Sequence, residues 1–198
     1  MKLILATHNI HKVKELNNML GFLNIEVLSL LDFPGIDGIE ETGSTFAENA
    51  MIKAMHIYKR LKIPVISDDS GIEVAYLNKK PGIFSKRFAG KNATDKDRID
   101  KLLYKMQDVP FQKRSAQFVC SMVYLNKNFQ YTVSGYCNGF IAPVPKGKNG
   151  FGYDPVFYLP DIDKTMAQLD EPLKNMISHR ANALKQINQI HSLGKYKK

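Results

Sequence analysis

Ile63-Pro64-Val65-Ile66-Ser67-Asp68-Asp69-Ser70-Gly71-Ile72-Glu73-Val74-Ala75 sets two adjacent carboxylates between two apolar runs. The pattern reads as a strand, a tight acidic turn and a second strand. Neighbouring carboxylates repel, so both stay ionised only beside a cation, hydrogen-bond donors or open water. A hard divalent metal such as Mg²⁺ meets that need. An Asp-rich hairpin turn with Gly71 at the bend meets the local pattern equally well, and the rest of the chain has to decide.

N-terminal to this stretch, residues 2–7 read as a buried strand and 9–20 as a helix with Ile10, Val13, Leu16 and Leu20 on its apolar side. Thr7, His8 or Asn9 caps that helix. Lys12 then falls in the first turn, where the helix dipole disfavours a cation unless an anion is present. A phosphate would supply one, and an ordinary capped helix with a snorkelling lysine is the alternative. A second strand, residues 25–30, leads through Pro34, Gly35 and Gly38 to Glu40-Glu41-Thr42-Gly43. Thr45-x-x-Glu48 is a capping-box signature, opening a helix with Phe46, Ala50, Ala54, Ile57 and Leu61 as its core stripe. Asn49 and Lys53 lie beside that stripe. Glu40 and Glu41 suit a helix N-terminus by charge alone, and they complete an oxygen-rich metal site if they face Asp68 and Asp69.

On the C-terminal side, Pro81 to Gly90 reads as a turn followed by an ordered basic-aromatic loop, and Thr94 with Asp97 opens a helix running to about Met106. Residues 114–136 read as a hairpin turning at Asn126-Lys127-Asn128. This middle region reads as scaffold or dimer surface. Lys146-Gly147-Lys148-Asn149-Gly150-Phe151-Gly152-Tyr153-Asp154-Pro155 carries three glycines in six residues and two aromatic faces for stacking. It is neither a Walker A loop nor a dinucleotide fingerprint, and a glycine-rich turn with core aromatics stands beside a ligand loop as its reading. A last helix is expected from Pro172 towards Leu193, buried through Leu173, Ile177, Leu184, Ile187 and Ile190. Arg180 on that apolar face needs an anion from protein or ligand, as does Lys174 in the first turn. His179 reads as a structural histidine or a ligand contact.

The 198-residue length and 44% hydrophobic content suit a single domain with a real core. The N-terminal apolar run is too short for a signal peptide, and no stretch approaches bilayer length. Cys120 and Cys137 lack metal-site spacing and read as buried free thiols, so a cytoplasmic protein is expected. The net charge of +9 admits nucleic acid, an anionic membrane or a polyanionic small substrate. Part of it lies in the Lys195-Tyr196-Lys197-Lys198 tail and the rest is scattered, which argues against a dedicated nucleic-acid surface.

Four segments together resemble the inosine/xanthosine triphosphate pyrophosphatases, which act on noncanonical purine nucleotides. They are Ala6-Thr7-His8-Asn9 with Lys12, Glu41-Thr42-Gly43 through Lys53-Ala54, Asp68-Asp69-Ser70-Gly71 with Pro81-Gly82, and Gly150 to Pro155 with Ser178-His179-Arg180. The resemblance implies an α/β fold, mixed, with an elongated bent central sheet flanked by helices, two lobes and a cleft, in a homodimer. It implies Mg²⁺-dependent hydrolysis of ITP, dITP and XTP between the α and β phosphorus atoms, with no nucleic-acid or membrane partner. Matched residue by residue, Thr7, Asn9, Lys12 and Lys53 would hold the triphosphate, with His8 in the same loop. Asp69 would be the general base, and Asp68, Asp69 and Glu41, joined by Glu40, would hold or position the metal. Ser70, Phe151, Gly152, Tyr153, Asp154, Lys174, His179 and Arg180 would surround the nucleoside. His8 and His11 depart from the glycines many members carry there.

Chemistry agrees with that assignment, because phosphoryl-type transfer depends on charge neutralisation and positioning. Inosine and xanthosine carry a C6 carbonyl where adenosine carries an amino group. Donors from His179, Arg180 or backbone N–H would be satisfied by the first two and left unpaired by the third, at a cost of about 1–3 kcal/mol. A pyrophosphatase for pyrimidine or modified nucleotides is the nearest rival. A non-catalytic RNA- or nucleotide-binding protein is the rival from another class.

Overall fold

The computed structural model describes residues 2–21, 26–36 and 38–195, with side chains in the last helix as far as Ile187. Among the described residues the strands are β1 (Lys2–Leu5), β2 (Glu26–Ser29), β3 (Val65–Val74), β4 (Ser115–Leu125), β5 (Gln130–Ile141), β6 (Phe157–Leu159) and β7 (Lys164–Thr165). They form one mixed sheet in the order β2-β1-β3-β4-β5-β6-β7, parallel from β2 to β3 and antiparallel from β5 to β7. The helices are α1 (Ile10–Leu20), α2 (Phe46–Leu61), α3 (Asp95–Lys105), α4 (Glu171–Ile177) and α5 (His179–Lys195). The expected mixed α/β architecture with a helix-flanked sheet is therefore present. None of the described helices is long and apolar enough to cross a membrane.

By packing, the chain divides into two compact units, the first comprising Met1–Asp69, Cys120–Gly135 and Arg180–Lys198. Its strands alternate side chains between two cores, as pleated strands must. Leu3, Leu5 and Ile66 pack with Leu16 and Leu20 of α1 and with Leu184 and Ile187 of α5. Ile4, Ala6 and Val65 pack on the other face with Ala50, Ala54 and Ile57 of α2. Each large aliphatic side chain fully buried in this way contributes about 1.5–3 kcal/mol. Asn9 caps α1 by accepting from His11 N, and Thr45 caps α2 by accepting from Glu48 N. The Glu48 carboxylate binds Ser44 N and Oγ instead of closing a capping box on Thr45. Ile10, expected on the buried stripe, is 58% exposed because it is the first residue of α1 and precedes the packed turns.

The second unit comprises Ser70–Val119 and Tyr136–His179. One core joins Ile72 and Val74 of β3, Phe118 of β4 and Phe157 of β6 to Ile99, Leu102 and Met106, with Leu173 and Ile177 of α4 against it. Thr94 and Asp97 cap α3 reciprocally. Its C-terminal end is closed by the buried Arg114, whose guanidinium donates to the Met106 and Val109 carbonyls.

Three expectations are corrected. The acidic stretch is not a turn between two strands: β3 runs unbroken for 10 residues through Asp68, Asp69 and Gly71. Buried partners on each face neutralise the carboxylates, so no bend is needed to bring them to water. The last helix is two helices, because Ser178 is extended (φ −64°, ψ 155°) and separates α4 from α5. The second strand gives way to a single 3-10 turn at Leu30, where Ser29 and Asp32 form a reciprocal cap. Ile25, the side chain of Ile190 and residues 196–198 lie outside what the structure describes.

Candidate active site

Alternation along β3 sends its two adjacent carboxylates to opposite faces. Asp68 shares the face of Ile66 and meets α1 and α5. Its Oδ2 accepts from Lys12 Nζ at 2.9 Å and from Arg180 Nε and Nη2 at 3.3 and 3.2 Å, with the Cys120 thiol at 3.8 Å. Arg180 also donates through Nη1 to Glu15 of α1. Arg180, Asp68, Glu15 and Cys120 are buried, with Arg180 1% exposed and Asp68 2%, and Lys12 is half-buried at their edge. Burial alone would raise the Asp68 pKa, but Lys12, Arg180 and Lys53 outweigh it and hold the carboxyl well below the usual range. The same pairing raises the Arg180 guanidinium against its own burial, while burial pushes the Cys120 thiol up to about 12.

Asp69 shares the face of Ser67, whose hydroxyl donates to Ala50 O of α2. Asn49 of α2 is fully buried and reaches two groups at once: its Oδ1 accepts from Gly43 N at 2.8 Å, and its Nδ2 donates to Asp69 Oδ2 at 3.1 Å. Gly43 is required at this join, since a Cβ there would lie 2.7 Å from Asn49 Oδ1. One turn further along α2, Lys53 Nζ lies 2.7 Å from Glu41 Oε1 and 3.6 Å from Asp69 Oδ1. Burial raises the Asp69 pKa, and Glu41 adds to this while Lys53, Lys12 and the Asn49 bond oppose it; the net shift is upward. Burial disfavours the Lys53 ammonium, yet Asp69, Asp68 and Glu41 leave it raised.

The loop between β1 and α1 is built on its own polar groups. Thr7 Oγ1 accepts from Asn9 N at 3.1 Å, and α1 carries no acidic residue in its first turn to occupy its N-terminus. His8 is exposed and donates through Nε2 to Ile36 O at 3.0 Å.

In the second unit the glycine-rich loop is fastened by carboxylates. Phe151 N donates to Asp154 Oδ2 at 2.9 Å, and Gly152 N donates to Asp95 Oδ2 at 2.7 Å. Asp154 also holds Lys174 Nζ at 2.5 Å, and that ammonium lies 4.9 Å from the centre of the half-buried Phe151 ring. The left-handed Gly150 (φ 76°) permits this closure, because a Cβ would sit 2.0 Å from Asp154 Oδ2. His179 is buried with its ring stacked on Phe118 at 4.8 Å. Ser70 is half-buried on β3.

A sequence profile of the Ham1 family matches residues 3–190. The chain belongs to the Ham1 family. It is 49% identical to the dITP/XTP pyrophosphatase of Halalkalibacterium halodurans, over 94% of this chain and 96% of the relative. The solved Ham1 protein of Coxiella burnetii superposes with a TM-score of 0.87 at 43% identity, covering 97% of this chain and 98% of that one. The Staphylococcus aureus Ham1 protein superposes with a TM-score of 0.86 at 40% identity over the same shares. The resemblance drawn from four short motifs thus holds over nearly the whole chain.

Within this Ham1 chain, several residues sit differently from expectation. Arg180, expected at the nucleoside, is committed to Asp68 and Glu15. Tyr153, expected as a stacking face, is 5% exposed in the core, with its hydroxyl donating to Ser85 O at 2.9 Å. Phe151 remains the accessible ring of the loop. The four carboxylates do not converge: Glu40 is exposed, Lys53 reaches between Glu41 and Asp69, and Asp68 faces away from Asp69. Among the described residues no group of three or more His, Cys, Asp or Glu side chains gathers at ligand distance. Mg²⁺ still fits, because it takes hard oxygens, commonly from one or two carboxylates with phosphates and water completing the shell. Asp68 Oδ1 is buried without a hydrogen-bond partner and is an acceptor held in reserve.

Glu15 and Asp95 were not singled out by sequence, and Asn49 was noticed without a role. Glu15 adjoins Leu16 on the buried side of α1, and a carboxylate there is the one local signal that a buried cation must meet it.

Proposed function

We propose that the chain hydrolyses noncanonical purine nucleoside triphosphates, ITP, dITP and XTP, to the monophosphate and pyrophosphate. The observation that carries this reading is the pair of adjacent carboxylates on opposite faces of β3, Asp68 paired with Lys12 and Arg180, which lower its pKa, and Asp69 bound by the neutral Asn49 amide in a buried setting that raises its pKa. The dITP/XTP pyrophosphatase name of a relative this similar supports the substrate class.

Thr7, Asn9 and Lys12, at an α1 N-terminus lacking acidic residues, and Lys53 neutralise the triphosphate. Asp69, oriented by Asn49, accepts the proton of the attacking water. The water oxygen bonds to the α phosphorus, the bond from that phosphorus to the bridging oxygen breaks, and pyrophosphate leaves with the electron pair. Lys12 and Lys53 offset the charge that develops on the leaving group. Glu41 and Asp69, both beside Lys53, would hold Mg²⁺, which when bound supplies charge neutralisation and a more acidic water, and Asp68 on the opposite face of β3 would help to position it by its charge. Glu40 stays at the exposed rim. Phe151 provides a ring face for the base, with Ser70, Gly152, Asp154, Lys174 and His179 around it. Since Phe151 N and Gly152 N are already given to carboxylates, the C6 carbonyl is read by side-chain donors and not by these two amides. The reading extends to a cytoplasmic homodimer, supported by the resemblance and, for the compartment, by the unbridged buried Cys120 and Cys137.

The deciding experiment incubates the protein with inosine, xanthosine, guanosine, adenosine and thymidine triphosphates, with and without Mg²⁺, and assays pyrophosphate and orthophosphate separately. Mg²⁺-dependent pyrophosphate from the inosine and xanthosine compounds, with little from the rest, is expected. Pyrophosphate mainly from thymidine triphosphate would overturn the base assignment, and no product from any would overturn the reaction.

A further inference from the structure

Asp95 opens α3, where an acidic residue ordinarily serves the helix N-terminus. Here that service is already supplied by Asp97, whose Oδ2 accepts from Thr94 N at 2.8 Å and from Thr94 Oγ1 at 2.7 Å. The Asp95 oxygens go elsewhere. Oδ2 accepts from Gly152 N at 2.7 Å, 57 residues away in the chain, and Oδ1 accepts from Arg98 Nη2. Arg98 in turn donates through Nη1 to Lys86 O at 2.9 Å and Ala93 O at 2.7 Å. Next to Gly152, the Tyr153 hydroxyl donates to Ser85 O. The turn at residues 85–86 and the loop at residues 152–153 are therefore tied together, directly through Tyr153 and again through Arg98 and Asp95.

We infer that Asp95 is a positioning residue for base recognition: by holding the Gly152 amide it fixes the loop that presents the Phe151 ring. The inference rests on the reading of that loop as the base site. Phe151 is secured on one side by Asp154, which accepts from its amide and is itself held by Lys174 of α4, and on the other side the Gly152 amide has to be held from outside the loop as well. Asp95, on a helix whose Ile99 and Leu102 are buried, holds it. Asp95 is half-exposed and its two oxygens go to Gly152 N and Arg98 Nη2, so its effect is expected to fall on binding of the base and not on the chemical step.

Steady-state kinetics of Asp95→Ala, Asp95→Asn and Asp97→Ala test this, together with inhibition by inorganic tripolyphosphate, which carries the phosphates without a base. Asp95→Ala is expected to raise KM for ITP about tenfold, the size of a lost charge-assisted hydrogen bond, with kcat within about twofold. Its inhibition constant for tripolyphosphate stays at the wild-type value. Asp95→Asn, whose amide oxygen still accepts from Gly152 N, recovers most of the loss. Asp97→Ala lowers the melting temperature but leaves KM in place. An unchanged KM in Asp95→Ala, or an equal rise in Asp97→Ala, would overturn the inference while leaving the activity intact. A wild-type protein that releases no pyrophosphate from ITP would overturn the base-site reading first and the inference with it.

Discussion

Replacing Arg180 by Met keeps the length of a buried side chain and removes its charge from between Asp68 and Glu15. The structure sets the size of the effect. Asp68 keeps Lys12 at 2.9 Å but loses two guanidinium donors at 3.2 and 3.3 Å, and Glu15 loses the Nη1 bond. Breaking a buried ion pair by removing one of its members costs about 3–5 kcal/mol. For a chain of this length each kcal/mol shifts the melting temperature by about 2–4 °C, so a fall of roughly 6–20 °C is expected. Thermal and urea unfolding followed by circular dichroism measure it. Glu15→Gln/Arg180→Met should be less destabilised than the sum of the single variants by about 1–3 kcal/mol, because the second change also removes the carboxylate charge that Arg180 meets. The effect carries a pH signature. The folded-state pKa of Asp68 lies below its ordinary 3.8, so its stabilising contribution is present above that value and lost as the pH falls through the depressed pKa. Without Arg180 the Asp68 pKa rises, and the gap between wild type and variant narrows once the variant's Asp68 takes up a proton. A melting-temperature change under about 2 °C, or a gap that does not narrow in acid, would refute the assignment of Arg180 to these carboxylates.

Three further outcomes follow from the second face and the glycine loop. Asp69→Asn should lower kcat by about 10²–10⁴-fold while the protein stays folded. Because the Asp69 pKa is raised, its ionisation opposes stability as the pH climbs through that value; the variant should therefore melt higher than wild type at neutral pH, and a lower melting point would contradict the shift. In the wild type, loss of kcat on acidification should set in above the ordinary carboxylate value of 3.8, as a pH–rate profile would read. Asn49→Ala leaves Gly43 N without its acceptor and Asp69 free to turn, and kcat should fall about 10–100-fold with KM little altered; an effect confined to KM would make Asn49 a binding residue. Gly150→Ala sets a methyl group 2.0 Å from Asp154 Oδ2, so the Asp154 contacts with Lys174 and Phe151 N must open and KM for ITP should rise, whereas wild-type kinetics would show that this closure is not used.

What could be read from sequence was local. Thr45 and Thr94 cap the helices expected of them, Asn9 does so among the candidates Thr7, His8 and Asn9, and of the stripe Phe46, Ala50, Ala54, Ile57 and Leu61 all but the half-buried Leu61 are buried. What could not be read was decided over distance. The sequence reads as a turn at Asp68 and Asp69 because adjacent carboxylates in an apolar run need a cation, hydrogen-bond donors or open water, and the sequence does not say which. The charges that make water unnecessary come from Lys12 and from Arg180, the latter 112 residues away. The break at Ser178 had no glycine or proline to announce it. Tyr153 was assigned to stacking from its place beside Phe151, but the carbonyl that buries its hydroxyl belongs to Ser85, 68 residues earlier.

The two-residue period of a strand explains why the acidic pair is worth more than two carboxylates at a turn would be. A turn would have exposed both to the same water and given them similar pKa values. On a continuous strand one faces α1 and α5, which bring Lys12 and Arg180; the other faces α2, which brings a neutral amide from Asn49 and a lysine already engaged by Glu41. The same residue type therefore has its pKa pushed down at position 68 and up at position 69. In the proposed reaction, water attack on a phosphoanhydride asks an ionised group and a proton acceptor of the carboxylates, and one strand register would supply both. Inserting a single residue between Val65 and Asp68 would send both carboxylates to the opposite faces, placing Asp68 where Asp69 now stands and Asp69 at the position of Ser70, away from Lys12 and Arg180. Such a variant should lose turnover far beyond its loss of stability, and turnover that survived would show that the faces are interchangeable.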